Sequence, residues 1–165
     1  MNDQLEISGQ NFSFAKWCDK YKLDGGKAAI ALGLSRSQSY KIIGEQQGGQ
    51  GTPLLSLHCA AIDELGFEGA QELIYKRILN LSSPQARKKL VNDFNFAQWF
   101  NKYHLDVSES TAVVLGNSKA TIYAYLNNSR LPSLSMVLHC LAIDALGHDE
   151  ANILIVRRKM AAKQL

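Results

Sequence analysis

The sequence predicts an all-helical protein, and two observations support this. Apolar residues recur at the spacing of one helix face, as Phe14, Trp17, Cys18 and Tyr21 do, and no segment alternates apolar and polar residues like a half-buried strand. Four glycines also follow a leucine that closes an apolar pattern, where a left-handed residue commonly ends a helix. These glycines are Gly33, Gly66, Gly116 and Gly147.

An internal repeat organises the chain. Residues 12–24 recur as residues 94–106, with phenylalanine, tryptophan, tyrosine and leucine at the same spacing, and residues 57–66 recur as residues 138–147. Self-similarity of this kind indicates two homologous units, each of about 65 residues. We call them repeat 1 and repeat 2.

The repeat predicts a domain at residues 1–81, a linker at 82–93 and a second domain at 94–165. Pro84 follows Ser83, and proline suits the first position of a helix, so the linker is predicted to contain a short basic helix. In repeat 1, residues 44–51 form a polar, glycine-rich loop, whereas repeat 2 has only residues 127–130 there. This loop is the main asymmetry between the repeats.

Composition and charge bound the class of protein. The chain has 165 residues, of which 46% are hydrophobic and 20% charged, as in folded globular proteins. Its first ten residues have neither a basic start nor an apolar run, and no segment approaches the ~18 apolar residues of a membrane span. We therefore expect a cytoplasmic protein that does not enter a membrane. A net charge of +3 is compatible with a nucleic-acid partner but does not require one.

The cysteines favour neither disulfides nor metal. There are three, without CxxC spacing, and we expect them to be buried thiols: Cys18, Cys59 and Cys140. Each repeat has a His-Cys pair, at 58–59 and 139–140, but adjacent helical residues point ~100° apart. Four ligands would have to converge from two separate domains, so we predict no metal site.

No catalytic motif is present. The sequence lacks HExxH, GxSxG and paired-carboxylate arrangements, and residues 44–52 lack the Lys-Ser/Thr of a phosphate-binding loop. We therefore predict a protein that is not an enzyme, with no cofactor and no small-molecule ligand. The basic residues 157–159 are predicted to be a solvated last helical turn.

The aromatic residues divide into two groups. One group lies on an apolar stripe and is predicted to be core: Trp17, Tyr21, Trp99 and Tyr103. Tyr40 and Tyr123 suit either a partly buried or an outward position, and both alternatives stay open.

Residues 110–133 of repeat 2 predict two helices joined by a tight turn at Gly116, with Ser118 capping the second helix. Ile122, Tyr125 and Leu126 give that helix an inward face. The outward positions carry polar and small side chains that allow close approach to base edges: Lys119, Ala120, Tyr123, Ala124 and Asn127.

This run resembles the helix-turn-helix domain of the phage Cro and lambda-repressor family. The resemblance implies two tandem lambda-repressor-like helix-turn-helix domains of about five helices each, whose second motif helix enters the major groove of DNA. Carried over to repeat 2, it implies DNA contacts at Ser118, Lys119, Ala120, Thr121, Tyr123, Ala124, Asn127, Asn128 and Arg130.

Repeat 1 follows the same pattern with two departures. The resemblance implies DNA contacts at Ser35, Arg36, Ser37, Gln38, Tyr40 and Lys41. Ser39 occupies the inward position that Ile122 fills in repeat 2, and the glycine-rich loop replaces the usual short connection. We therefore expect repeat 2 to dominate binding.

Taken together, these features predict a sequence-specific DNA-binding transcriptional regulator, most simply a repressor. One chain would span two half-sites about ten base pairs apart on double-stranded DNA, and association into a homodimer stays open. The alternative is a protein-interaction module, such as an antirepressor or assembly factor, that keeps the fold without binding DNA. A basic surface at the positions of Arg36, Lys41, Lys119 and Arg130 favours DNA, and an apolar surface there favours a protein partner.

Overall fold

A computed structural model describes residues 12–45 and 51–164. Within those ranges the chain forms eleven helices and no strand, which confirms the all-helical prediction. Repeat 1 contributes α1 (Phe14–Lys20), α2 (Gly25–Leu32), α3 (Arg36–Gly44), α4 (Pro53–Asp63) and α5 (Gly66–Asn80). Helix α6 (Pro84–Asp93) follows. Repeat 2 contributes α7 (Phe96–Lys102), α8 (Glu109–Leu115), α9 (Lys119–Leu126), α10 (Leu134–Ala145) and α11 (His148–Ala162).

The helix boundaries follow local sequence signals. Helix α6 begins with Pro84 in its first turn, the position predicted for it, and Ser83 is its N-cap. Gly33 and Gly116 end α2 and α8 in the left-handed conformation, with φ of 71° and 64°. Two of the four glycine predictions therefore hold as stated. The other two glycines also have positive φ, but they belong to the starts of α5 and α11.

The predicted aromatic core is confirmed, and each repeat adds a carboxylate to it. Trp17 and Tyr21 are buried, and both donate hydrogen bonds to Asp63, the indole nitrogen at 3.0 Å. Repeat 2 has the same arrangement in Trp99, Tyr103 and Asp144. Burial of the phenols, followed by their hydrogen bonds to these carboxylates, raises the pKa of both tyrosines. The carboxylates thus tie the first helix of each repeat to the fourth.

The two repeats pack against each other through α4 and α10. Buried side chains from both repeats form one continuous apolar cluster. The contacts are reciprocal, as in an isologous dimer. Arg77 donates a hydrogen bond to the carbonyl of Leu138, and Arg158 donates one to the carbonyl of Leu57, the residue of repeat 1 that corresponds to Leu138. The chain therefore contains an interface of dimer type within itself.

Two glycines allow the repeats to approach closely. A Cβ on Gly33 would stand 2.8 Å from the backbone nitrogen of Ser135, and one on Gly116 would stand 2.8 Å from Cα of Leu54. Both contacts join a turn of one repeat to the fourth helix of the other. Ser135 Oγ also donates to the Gly33 carbonyl at 2.8 Å. These positions exclude a side chain because of the neighbouring repeat as well as their own positive φ.

A buried arginine in each repeat binds three helices. Arg77 Nη1 donates to the Ala31 carbonyl at 2.8 Å and lies 2.9 Å from His58 Nε2, while Nη2 donates to Leu138 O at 2.7 Å. Ala31 lies in the last turn of α2, where carbonyls lack a partner within the helix and the helix dipole favours a cation. Each guanidinium therefore satisfies a helix end and crosses to the other repeat.

Repeat 2 reproduces this arrangement with Arg158. Its Nη1 donates to Val114 O at 3.3 Å and lies 3.0 Å from His139 Nε2, and its Nη2 donates to Leu57 O at 2.7 Å. The prediction that residues 157–159 are a solvated turn is thus wrong for Arg158, which is only 3% exposed. Tertiary hydrogen bonds compensate the burial of its charge, which the local sequence does not reveal.

The histidines of the two repeats meet in the core. The rings of His58 and His139 lie 5.6 Å apart, so they do converge from both repeats, contrary to the expected separation. Because an arginine has only donors, each Nε2 must accept a hydrogen bond and the proton sits on Nδ1. Burial, reinforced by the arginines, holds the pKa of both histidines well below the usual range.

The remaining sequence expectations concern cysteines, metals and membranes. All three cysteines are buried free thiols, and burial raises the pKa of Cys18 to about 12. Residues 12–45 and 51–164 contain no group of three or more histidine, cysteine or acidic side chains arranged to hold a metal ion. None of the helices described is both long and apolar enough to cross a bilayer.

Replacing Arg158 by lysine is expected to lower the free energy of unfolding by about 3 kcal/mol, because an ammonium group offers its donors from one nitrogen and cannot match the acceptors on three helices that the wider guanidinium reaches through Nη1 and Nη2. Denaturant titration measures the effect. Arg157→Lys is the matched control: Arg157 is the neighbouring residue, and its ion pair with Glu64 is partly solvated, so the expected loss is below about 1 kcal/mol. Equal losses for the two variants would contradict the bridging role of Arg158.

Acidification is expected to destabilise the protein. His58 and His139 stay neutral when folded but become protonated when unfolded, so stability is lost as pH falls below about 6.5, by about 1.4 kcal/mol per pH unit for each histidine. Denaturant titrations between about pH 7.5 and 5.5 measure this slope. His139→Gln should halve the histidine contribution, whereas His148→Gln, at an exposed position, should leave it unchanged. A slope insensitive to His139→Gln would refute this account.

Candidate nucleic-acid interface

In repeat 1, helices α2 and α3 pack against each other and are joined by a tight turn at Gly33. Ser35 caps α3 by accepting the backbone N–H of Gln38 at 3.1 Å, and the Gln38 side chain accepts the N–H of Ser35 in return. This reciprocal arrangement is a capping box, which fixes the first turn of the helix. The Gln38 side-chain oxygen is therefore committed to the cap.

Repeat 2 builds the same unit from α8, Gly116 and α9. Ser118 caps α9 by accepting the backbone N–H of Thr121 at 3.1 Å. Asn117, in the turn, donates to the Leu115 carbonyl at 3.1 Å and lies against Met136 of α10. The turn is thus held by its own backbone and by the fourth helix of the repeat.

The structure places the predicted contact residues on the surfaces of α3, α9 and the segment after α9. Thirteen are exposed: Ser35, Arg36, Ser37, Gln38, Tyr40, Lys41, Ser118, Lys119, Ala120, Tyr123, Asn127, Asn128 and Arg130. Thr121 and Ala124 are half-buried. Each repeat thus presents the outward face of its third helix to solvent.

The two tyrosines left open by the sequence point outward. Tyr40 is 47% exposed and Tyr123 56% exposed. Tyr40 packs one side of its ring on the backbone of Gly25, where a Cβ would come within 2.8 Å of the ring, and the guanidinium of Arg36 lies 5.6 Å from the ring centroid. A cation–π contact with Tyr40 therefore orients Arg36, the first residue of α3.

The charges of the two faces differ. Lys119 forms an ion pair with Glu109 at 2.6 Å, and this contact raises the pKa of Lys119. Both side chains are largely exposed, so the pair contributes little to stability. It does, however, place a carboxylate beside the first cation of α9, whereas the structure gives Arg36 an aromatic neighbour instead.

The two repeats also differ in the residue at the inward position of the third helix. Ser39 and Ile122 are both fully buried, as their pattern positions predict. Ser39 Oγ has no hydrogen-bond partner within the described part of the chain. A buried hydroxyl without a partner carries an uncompensated desolvation cost. Repeat 1 therefore buries a polar group at this position of α3, where repeat 2 buries an apolar one in α9.

Two arginines that the sequence pattern did not indicate hold the turns at Gly33 and Gly116 in place. Arg77 and Arg158 bind the last turn of α2 and of α8, each immediately before a motif turn, and also bind the other repeat. The signal was available, because both arginines stand nineteen residues after the repeated histidine. Equal spacing alone, however, did not indicate burial.

The glycine-rich stretch at 44–51 bears on backbone contacts but lies mostly outside the described residues, which omit 46–50. Glu45 ends α3 as its C-cap, and Thr52 begins α4 by accepting the N–H of Leu55. The connection after α9 is described throughout. There Asn128 has a positive φ of 59°, which asparagine tolerates, and Arg130 is exposed.

Substituting Ser39 by alanine is expected to raise the free energy of unfolding by about 1 kcal/mol, because it removes an unpaired buried hydroxyl and improves helix propensity. Thermal and denaturant unfolding measure the gain. Ser37→Ala, on the exposed side of α3, gains only the propensity part and serves as the control. The explanation fails if Ser39→Ala gains no more than Ser37→Ala.

The chain matches no protein-family model, and neither a curated protein nor a solved structure is significantly similar to it. The likeness to the Cro and lambda-repressor family therefore rests on the motif residues of the two repeats.

Proposed function

We propose that this chain is a sequence-specific regulator of transcription that binds double-stranded DNA, acting most simply as a repressor by covering a promoter. One observation carries the proposal. In each repeat, a serine-capped helix follows a left-handed glycine turn and presents polar, small and cationic side chains to solvent. This combination suits a helix that enters the major groove.

The distribution of exposed groups on these helices supports DNA over a protein partner. Arg36 and Lys41 are exposed on α3, and Lys119 and Arg130 are exposed on and after α9. Among the described residues of α3 and α9, Tyr40 and Tyr123 are the only large apolar side chains that are exposed. Tyrosine contributes both an apolar ring and a hydrogen-bonding hydroxyl, so it suits a groove as well as a protein surface.

The packing of the repeats supports recognition of two half-sites in a defined arrangement. A flexible tether would supply only a high effective concentration of the second domain. Here α4 packs on α10, and the arginines bridge the repeats next to both motif turns. A bipartite operator would accordingly have one preferred spacing. Its half-sites would differ, since α3 begins Arg-Ser-Gln and α9 begins Lys-Ala-Thr.

A protein-interaction module is the second candidate, and helix α11 favours it. Ile153, Val156 and Met160 are 54%, 54% and 63% exposed and share one face of that helix. Exposed apolar clusters of this kind commonly mark a contact with another protein. The cluster lies on α11 and includes no residue of α3 or α9, so it is compatible with DNA binding by an associated pair of chains.

Selection of duplexes from random DNA is expected to enrich a bipartite sequence bound by the full-length protein. Arg36→Ala and Lys119→Ala should each weaken binding to the enriched duplex by about 1–3 kcal/mol if the side chains read bases, and should relax preference in different half-sites. Fluorescence anisotropy measures the affinities. Affinity should fall as salt rises, because lysine and arginine displace condensed counterions.

Lys16→Ala, at an exposed position of α1, is a control for the loss of one positive charge outside the proposed interface. Inserting about five base pairs between the half-sites rotates one by about half a turn and should abolish most of the two-site gain. Failure to prefer any duplex over random DNA at low salt would refute the proposed function. The α11 surface would then become the leading site.

A further inference from the structure

A cationic cleft lies where repeat 1, α6 and α10 meet. Three basic side chains from three helices line it: Lys27 of α2, Arg36 of α3 and Arg87 of α6. The cleft has a volume of about 650 Å³. The carboxylate among its described lining residues is Asp24, whose Oδ1 already accepts the backbone N–H of Lys27 at 2.8 Å as the cap of α2. Positive charge therefore predominates in the cleft.

Two of these cations are oriented by their surroundings. Arg87 Nη1 donates to the carbonyls of Leu81 and Ser82, at 2.9 and 3.2 Å. The guanidinium of Arg36 lies over the first turn of α2, with its Cζ 3.8 Å from where a Cβ of Gly26 would be. Arg36 and Arg87 are thus held in place, and within the described ranges none of the three cations is paired with a carboxylate in a salt bridge.

Repeat 2 carries different charges at the positions that match this cleft. At the positions that match Gly26 and Lys27 it has Glu109 and Ser110, and Lys119, which matches Arg36, is paired with Glu109 at 2.6 Å. Helix α6 has no second copy in the part of the chain that the structure describes. The repeats are therefore alike in their core, but cations are in excess around the start of α3, whereas the cation at the start of α9 is paired with a carboxylate.

We propose that this cleft binds the phosphate groups of a DNA duplex, so that repeat 1 and α6 supply the main electrostatic grip on the backbone. The inference rests on the proposed function and reverses the expectation that repeat 2 dominates. Arginine guanidinium groups match phosphate oxygens in shape and charge, and a concave surface of one sign concentrates the field on an anion. Arg87 thereby becomes a DNA-contacting residue in a helix outside both motifs.

The test compares the salt dependence of duplex binding. A labelled random-sequence duplex of about 30 base pairs, three helical turns, is titrated with full-length protein at several salt concentrations. Arg87→Ala and Lys27→Ala should each reduce the slope of log affinity against log salt by about 0.9, the effect of one lost phosphate contact. Lys88→Ala, an exposed cation on the same helix that does not line the cleft, should keep the wild-type slope.

Lys27→Ala is the variant that should fold normally, because the Lys27 side chain makes no hydrogen bond in the described structure and only its backbone N–H is bonded. The unfolding temperature of every variant is measured to confirm that it is folded. If Arg87→Ala and Lys27→Ala behave like Lys88→Ala while Arg36→Ala still weakens binding, the cleft proposal is wrong and DNA binding stands. If the wild-type protein binds no duplex, the proposed function fails first. If inorganic phosphate, at matched ionic strength, stabilises the wild type but not Arg87→Ala, with duplex slopes unchanged, the cleft takes free phosphate and the duplex assignment is overturned.

Discussion

The contacts of Arg77 and Arg158 are the constraint on which the remaining structure depends. Each guanidinium binds a carbonyl in the last turn of the first motif helix, a histidine of its own repeat and a carbonyl of the other repeat. A buried cation requires such partners, since an uncompensated charge in the core is strongly unfavourable. Burial lowers the pKa of both arginines to about 10, which leaves them charged near neutral pH. The two repeats therefore need each other to satisfy their own cores.

This dependence changes how the repeats work together. Two domains joined by a flexible linker sample many relative positions, and a second binding event gains only from proximity. In this chain the repeats share one apolar cluster, and the motif turns at Gly33 and Gly116 touch the opposite repeat. Helices α3 and α9 thus belong to one packed unit. Substitutions in the arginine and histidine cluster should accordingly alter the positions of α2 and α8, and through them those of the exposed helices α3 and α9.

The core of the molecule is symmetric, whereas its surface is not. Asp63 and Asp144 hold equivalent aromatic pairs. Near the recognition helices, in contrast, Gly26 leaves room for the guanidinium of Arg36, and its counterpart Glu109 neutralises Lys119. A duplicated core can be kept while the exposed faces diverge, because surface substitutions have small effects on stability. Such divergence gives one chain two exposed faces of different charge.

The sequence by itself determined the features that depend on local periodicity and capping. These include the all-helical fold, the start of α6 at Pro84, the Ser118 cap of α9, the left-handed turns at Gly33 and Gly116, the aromatic core and the inward positions of Ser39 and Ile122. The outward positions of the motif helices followed from the same 3.6-residue period, and the alternatives for Tyr40 and Tyr123 were resolved only by their exposure.

Only the tertiary structure decided which polar groups are buried and which cations share a surface. Arg158 lies in a run of basic residues whose sequence pattern predicts a solvated turn. It is buried because it donates hydrogen bonds to carbonyls 44 and 101 residues away in the chain. Lys27, Arg36 and Arg87 come from separate helices, and their convergence depends on how α6 and α10 pack beside repeat 1. Capping and periodicity act over a few residues, whereas burial and charge clustering arise from contacts between distant segments, which a local pattern does not encode.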